Sequence, residues 1–205
     1  MAKGPILDSP GVTGGHERAS ERARHDDEAQ LITRIRARDL RAFESLYRRY
    51  HPRLSRFLTN LLRRPHLVEE VLNDTMMVVW NKPDSYNGAS RLSTWIFAIG
   101  YRKALKALRR YDDPLEDLQA DSRPTGEPGP EIQLGRRQAH EALLGAMGEL
   151  SPDHRAVVDL TYFHEMGYRE IAEVMDCPVD TVKTRMFYAR RHLKRVLAGA
   201  LADWV

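Results

Sequence analysis

Cationic side chains set at helical spacing carry the chemistry of this chain. Between Tyr168 and Arg195, in YREIAEVMDCPVDTVKTRMFYARRHLKR, the residues Lys183, Arg185, Arg190 and Arg191 stand among Thr184, Phe187 and Tyr188. Guanidinium and ammonium groups at this density suit a polyanion. A helix bearing them fits the major groove of B-DNA, where its early residues reach base edges and its later cations meet phosphates. Charge alone fits a solvated basic face on a helical hairpin equally well. The preceding turn favours DNA: Ile171, Ala172 and Met175 mark a short helix, Asp176-Cys177-Pro178 ends it, and Asp180 or Thr181 is placed to cap the next. Val182, Met186, Ala189, Leu193 and Val196 then form one apolar stripe, which leaves Lys183, Arg185, Tyr188, Arg191 and Lys194 facing outward. Two helices about a tight turn, the second one cationic, have the form of a helix-turn-helix.

A second stretch, STWIFAIGYRKALKALRR, sets Trp95, Ile96, Ile99, Ala104, Leu105 and Leu108 against Arg102, Lys103, Lys106, Arg109 and Arg110. Aromatic residues interleave with this charge at Tyr86, Trp95, Phe97 and Tyr101. Basic grooves with aromatic platforms hold unstacked bases, each stack contributing about 1–3 kcal/mol. Trp95 and Phe97 read more readily as core. Tyr86 and the loop Asn87-Gly88-Ala89-Ser90 are better candidates for contact with an extruded base, because small polar loop residues offer hydrogen bonds without bulk.

Other chemistries find little support. The chain has no P-loop, paired-carboxylate metal pattern or nucleophile–base motif, and its 8 histidines form no recognisable ligand set. We expect neither an enzyme nor a bound metal or cofactor. A single cysteine, Cys177, rules out an internal disulfide framework and reads as a small turn residue. No apolar run approaches a membrane span and the N-terminus lacks the apolar core of a signal peptide, so the expectation is a cytoplasmic protein without membrane insertion. Net charge is only +3 over 205 residues, but it is clustered, and local concentration is what a polyanionic partner feels.

These residues need helices to position them. The first stretch, to about Asp27, is rich in Gly, Ser and charge and reads as a flexible tail. Leu31, Ile35, Leu40, Phe43, Leu46, Tyr47 and Tyr50 mark a first helical pair whose pattern continues past Pro52 through Leu54, Phe57, Leu58, Leu61 and Leu62. Further helices are expected over Leu67–Trp80 and Ser93–Arg110, with the breaker-rich loop NKPDSYNGASR between them. From Asp112 to Glu131, 4 prolines, 2 glycines and many carboxylates give an acidic linker. Helical signals resume near Ile132 and persist to about Ala202, with Ser151 as an N-cap and Pro152 at the first helical position. The expectation is an all-α protein of two small helical domains, 28–111 and 136–205, after a tail of 1–27 and around a flexible acidic linker of 112–135.

One reader suited to single strands and one to duplex describe a promoter-opening factor better than a repressor. DLRAFESLYRRYHPRLSRFLTNLL, HLVEEVLNDTMMVVWNKPDSYNG and STWIFAIGYRKALKALRR resemble regions 2.1 to 2.4 of the extracytoplasmic-function (ECF) sigma factors of the sigma-70 family. LSPDHRAVVDLTYFHEMGYREIAEVMDCPVDTVKTRMFYARRHLKRVL resembles their region 4. Both blocks occur in order with the expected gap.

The resemblance implies partners and places them. Core RNA polymerase is expected to bind through the clamp helices of its largest subunit and the flap of its second, with Glu69, Glu70, Asp74 and Trp80 on this chain as contacts or their support. The loop Pro83–Leu92, with Tyr86, Asn87, Gly88 and Ser90, is expected to capture a flipped −10 nucleotide, and Arg102, Lys103, Lys106, Arg109 and Arg110 to hold the melted strand. Lys183, Thr184, Arg185, Phe187 and Tyr188 take recognition-helix positions for the −35 element, with Arg190 and Arg191 clamping phosphates. Similar proteins are held by an anti-sigma factor. Where many relatives read W-L-x-x-I-A-x-N-x-x-x-D, this chain carries Arg102 and Lys106 at the Asn and Asp positions, so its −10 preference does not transfer. A polymerase-independent helix-turn-helix regulator is the alternative reading.

Overall fold

In the computed structural model of the protein, residues 26–111 and 142–202 are described, with side chains to 198. All regular structure among the described residues is helical. The acidic linker of 112–135 and residues 1–25 of the expected tail lie outside them.

The first four helices are α1 (26–36), α2 (Leu40–Leu62), α3 (Pro65–Asn81) and α4 (Leu92–Tyr111), with a single 3₁₀ turn over Pro83–Ser85. α1 begins inside the expected tail and has a reason to: Asp27 pairs with Arg49 at 2.6 Å, and the Tyr50 hydroxyl donates to Glu28 at 2.5 Å. Asp39 starts α2 by accepting from the backbone N–H groups of Arg41 and Ala42. Arg63, in the left-handed conformation at φ 55°, stops it, and Pro65 opens α3 at its first position, two residues earlier than its apolar pattern indicates. Pro52 removes one rung from the interior of α2 and would cost about 3 kcal/mol in isolation. Burial of Tyr50, Leu54, Phe57, Leu58 and Leu61 outweighs that, at about 2 kcal/mol or more for each large side chain.

α2 packs against both α3 and α4. The approach to α4 is close at Gly100, where a Cβ would meet Leu54 Cδ1 at 3.0 Å. A side chain there would push the helices apart.

The last four helices are α5 (142–148), α6 (Pro152–Tyr162), α7 (Tyr168–Met175) and α8 (Val179–Ala202). Ser151 caps α6 with Pro152 at the first position, as the sequence predicts. At the α7–α8 turn Asp176 adopts φ 50° and closes α7. Pro178 then accepts the first N–H groups of α8, so Asp180 lies inside its first turn and is not its cap. Ile171, Ala172, Met175, Val182, Met186 and Ala189 are buried as the sequence predicts, while Leu193 and Val196, the end of the expected stripe, are half-buried.

These two sets of helices pack on one another, α6 against α2 and α7 against α4. Arg155 is the clasp. Its Nε donates to Met147 O at 3.1 Å, Nη2 to Gly148 O and Leu150 O at 3.2 and 2.7 Å, and Nη1 to Asn60 O and Leu61 O at 3.4 and 2.8 Å. Asn60 and Leu61 lie in the last turn of α2, whose carbonyls have no partner within the helix and carry the negative end of its dipole. A guanidinium from the other half of the chain satisfies them. Burial, with Arg63 nearby, pushes the Arg155 pKa down to about 10, which leaves it charged at neutral pH. Beside it, Asn60 Nδ2 donates to Asp159 at 2.5 Å, and the His164 ring sits edge-on to Phe97 and Phe57 with centroids 4.7 and 6.0 Å away. His164 Nε2 also lies 3.1 Å from Asp159 Oδ1.

Candidate nucleic-acid interface

The outer face of α8 keeps most of its expected character. Phe187 and Tyr188 are 61% and 53% exposed, with their rings edge-to-face at 5.5 Å. Side by side, the two rings make a small apolar patch on an otherwise cationic face. Lys183 is exposed and pairs with Asp180 at 2.9 Å, and the Thr184 hydroxyl donates to Asp180 O at 2.9 Å within the helix. A shallow groove of about 390 Å³ runs along this face between Tyr168 and the cations Lys183, Arg190, Arg191 and Lys194, floored by Met186. Arg190 is braced by a tyrosine that the sequence reading misses: its Nε donates to the Tyr162 hydroxyl at 3.0 Å and its guanidinium lies 5.7 Å from that ring. Tyr162 and Arg190 stand 28 residues apart, a separation at which no local pattern reveals the pair.

Arg185 departs from expectation. It does not face outward with its neighbours but turns into the seam between the two helical sets, where its Nη2 pairs with an Asp153 carboxylate oxygen and its side chain is 24% exposed. The other oxygen of Asp153 accepts from the Tyr101 hydroxyl of α4 at 2.6 Å. Burial, then the hydrogen bond to Asp153, raises the Tyr101 pKa above its ordinary value, so the phenol stays a donor. Cys177 Sγ lies 3.6 Å from Arg185 Nη1, and burial pushes its thiol up, which fits an unreactive turn residue.

The loop before α4 also differs in part. Tyr86 is buried, not offered to a base: its ring packs on Trp95 at 5.4 Å and its hydroxyl donates to Ser90 O at 2.7 Å. It closes the loop from inside, because a ring flanked by small polar residues has the apolar side of α4 to bury against. Arg36 donates to Tyr86 O at 2.6 Å and pins the loop to α1. Asn87 and Gly88 are exposed at the tip, where Asn87 Oδ1 accepts from Ala89 N at 2.9 Å and Gly88 takes φ 76°. Ser90 is half-buried.

On α4, Arg102, Lys106 and Arg109 are exposed. Lys103 and Arg110 are engaged by α3, with Asp74 at 2.8 Å and Glu70 at 2.9 Å. Two acids expected to face polymerase and two cations expected to face a DNA strand therefore meet each other along the α3–α4 seam. Glu69 is exposed, and Trp80 is half-buried against Phe43 at 5.1 Å with Arg38 over its ring. Met77, 54% exposed, follows Glu70 and Asp74 at helical spacing on α3. An apolar residue breaking a polar face at that spacing is the signal that could have found it.

No group of side chains among the described residues could hold a metal ion, and no described helix is long and apolar enough to cross a membrane.

The family model described as Sigma-70 region 2 matches residues 46–113, and that described as Sigma-70, region 4 matches 140–193. The chain is 26% identical over 174 residues to the ECF RNA polymerase sigma-E factor of Haemophilus influenzae, covering 80% of this chain and 92% of that protein. It is 29% identical over 182 residues to the ECF RNA polymerase sigma factor SigK of a Mycobacterium species, covering 82% and 89%. Its fold is similar to that of the sigma factor RpoE from Bartonella quintana, solved in complex with the anti-sigma factor NepR, at a TM-score of 0.62 and 23% identity over 78% of this chain and 98% of that one. With two region matches in order, on helices that present a helix-turn-helix and a cationic α4, the chain belongs to the ECF sigma factors of the sigma-70 family.

Proposed function

We propose that this sigma factor binds core RNA polymerase and directs it to promoters by reading the −35 element as duplex with α8 and the −10 element as an opened strand with the Asn87–Ser90 tip and α4. The observation that carries this is the exposed face of α8, where Phe187, Tyr188, Lys183 and Arg191 project from a helix-turn-helix. Phosphate contacts from Arg190 and Arg191 give affinity, and base contacts from the first turns of α8 give choice. Arg102, Lys106 and Arg109 offer the opened strand its phosphate partners without first breaking an ion pair to α3, whereas Lys103 and Arg110 must exchange theirs. Strand opening draws on binding energy, so no catalytic residue is required.

Residues 28–111 act as region 2 and 136–205 as region 4, joined through 112–135. Polymerase docks on the outer face of α3, where Glu69, Glu70 and Asp74 supply charge and Met77 an apolar anchor; Trp80 supports that helix from beneath. Tyr86 positions the −10 loop. An anti-sigma factor, as in the complex solved for the Bartonella protein, controls access, and the protein works in the cytoplasm.

Run-off transcription with core polymerase and a pool of promoter fragments tests the reading: discrete transcripts that depend on this chain are expected. Tight, sequence-specific duplex binding by the chain alone, with no transcript, would replace it with a polymerase-independent regulator.

A further inference from the structure

One carboxylate joins the two proposed DNA readers. Asp153 opens α6 and holds Arg185 of α8 with one oxygen while accepting from Tyr101 of α4 with the other. Tyr101 is buried on α4, the helix whose exposed side carries Arg102. A duplex reader and a strand reader thus meet across a single side chain. The −35 and −10 elements, about 25 base pairs apart by the positions that name them, lie about 85 Å apart along B-DNA at about 3.4 Å per pair. A compact body of about 150 residues is about 40 Å across, so the closed chain cannot touch both.

The contact also occupies the group that duplex DNA needs. A carboxylate meets guanidinium with much the same geometry as a phosphate does, and Asp153 stands in the first turn of α6, at the positive end of that helix's dipole. On the other flank, Arg91, at the end of the −10 loop, pairs with Glu170 of α7 at 3.5 Å. Separation of the halves is allowed by the chain itself: the stretch between 111 and 142 can reach about 100 Å when extended.

We propose that Asp153 is an intramolecular competitor for promoter DNA, holding Arg185 against Tyr101 in a closed chain that must part before the duplex is read. The inference rests on α8 being the duplex reader.

The test uses the full chain, a duplex of random sequence about 30 base pairs long as probe at fixed low salt, and small-angle scattering without DNA. Asn60→Asp sets a second carboxylate against Asp159 and loosens the seam without altering a proposed DNA contact. Asp153→Ala removes the competitor directly. If the closed form holds about nine-tenths of the chain, freeing it tightens duplex binding about tenfold. Asn60→Asp should also enlarge the particle, and adding Arg185→Ala to Asp153→Ala should abolish the gain. Unchanged affinity in Asp153→Ala, or a gain that survives Arg185→Ala, overturns the proposal. Should Asn60→Asp fail to fold, the Asp153 and Arg185 variants decide alone. Failure of every variant to bind duplex, whether or not the particle expands, removes the reading of α8 and this inference with it.

Discussion

Arg155 shows how one side chain can carry more than its own helix. Five backbone carbonyls from two parts of the chain converge on it. Replacing it with Met strands acceptors that water cannot easily reach, and the expected loss of stability is about 3 kcal/mol, measured by urea unfolding. Lysine cannot restore the planar fork and should recover little. Two tyrosines set an alkaline limit. Tyr50 and Tyr101 both have pKa values raised above 10.0 by burial and by hydrogen bonds to Glu28 and Asp153. Above about pH 10 the unfolded chain gives up these protons while the folded chain keeps them, so their stabilisation is present below that pH and lost above it. The urea midpoint should fall above about pH 10, and less steeply in Tyr101→Phe.

Elements are legible in the sequence where a local rule governs them. Ser151-Pro152 starts α6, Asp176-Cys177-Pro178 separates α7 from α8, and the stripe from Val182 to Ala189 is buried as its spacing predicts. Reading fails where partners are distant in sequence. Tyr86 reads as an exposed platform because its neighbours are polar, yet Trp95 and Ser90 hold it inside. Arg185 reads as outward because the stripe places it off the core, but its partner Asp153 lies 32 positions away. Pro65 lies ahead of the apolar pattern that begins at Leu67, yet it is the first residue of α3. The close contact at Gly100 is equally silent, since it depends on Leu54 of another helix. Gly100→Val should cost about 1–3 kcal/mol through overpacking, read as a lower urea midpoint. On α3, Met77→Asp should weaken capture of core polymerase in a pull-down while leaving helical content unchanged.

At the scale of the molecule the seam is partly apolar. Phe57 and Phe97 are fully buried, and His164 from the second half lies against both rings. Parting the halves uncovers them, so opening costs free energy that a partner's binding must supply. Calorimetry should give one transition for the whole chain, and two when Asn60→Asp loosens the seam.

The clasp at Arg155 has a consequence for a severed chain. Cut once between residues 112 and 141, the two fragments would still share its hydrogen bonds, the Asn60–Asp159 contact and the His164 wedge. They should co-elute on gel filtration as a nicked pair when loaded at about millimolar concentration, where mass action replaces the tether, and separate on dilution.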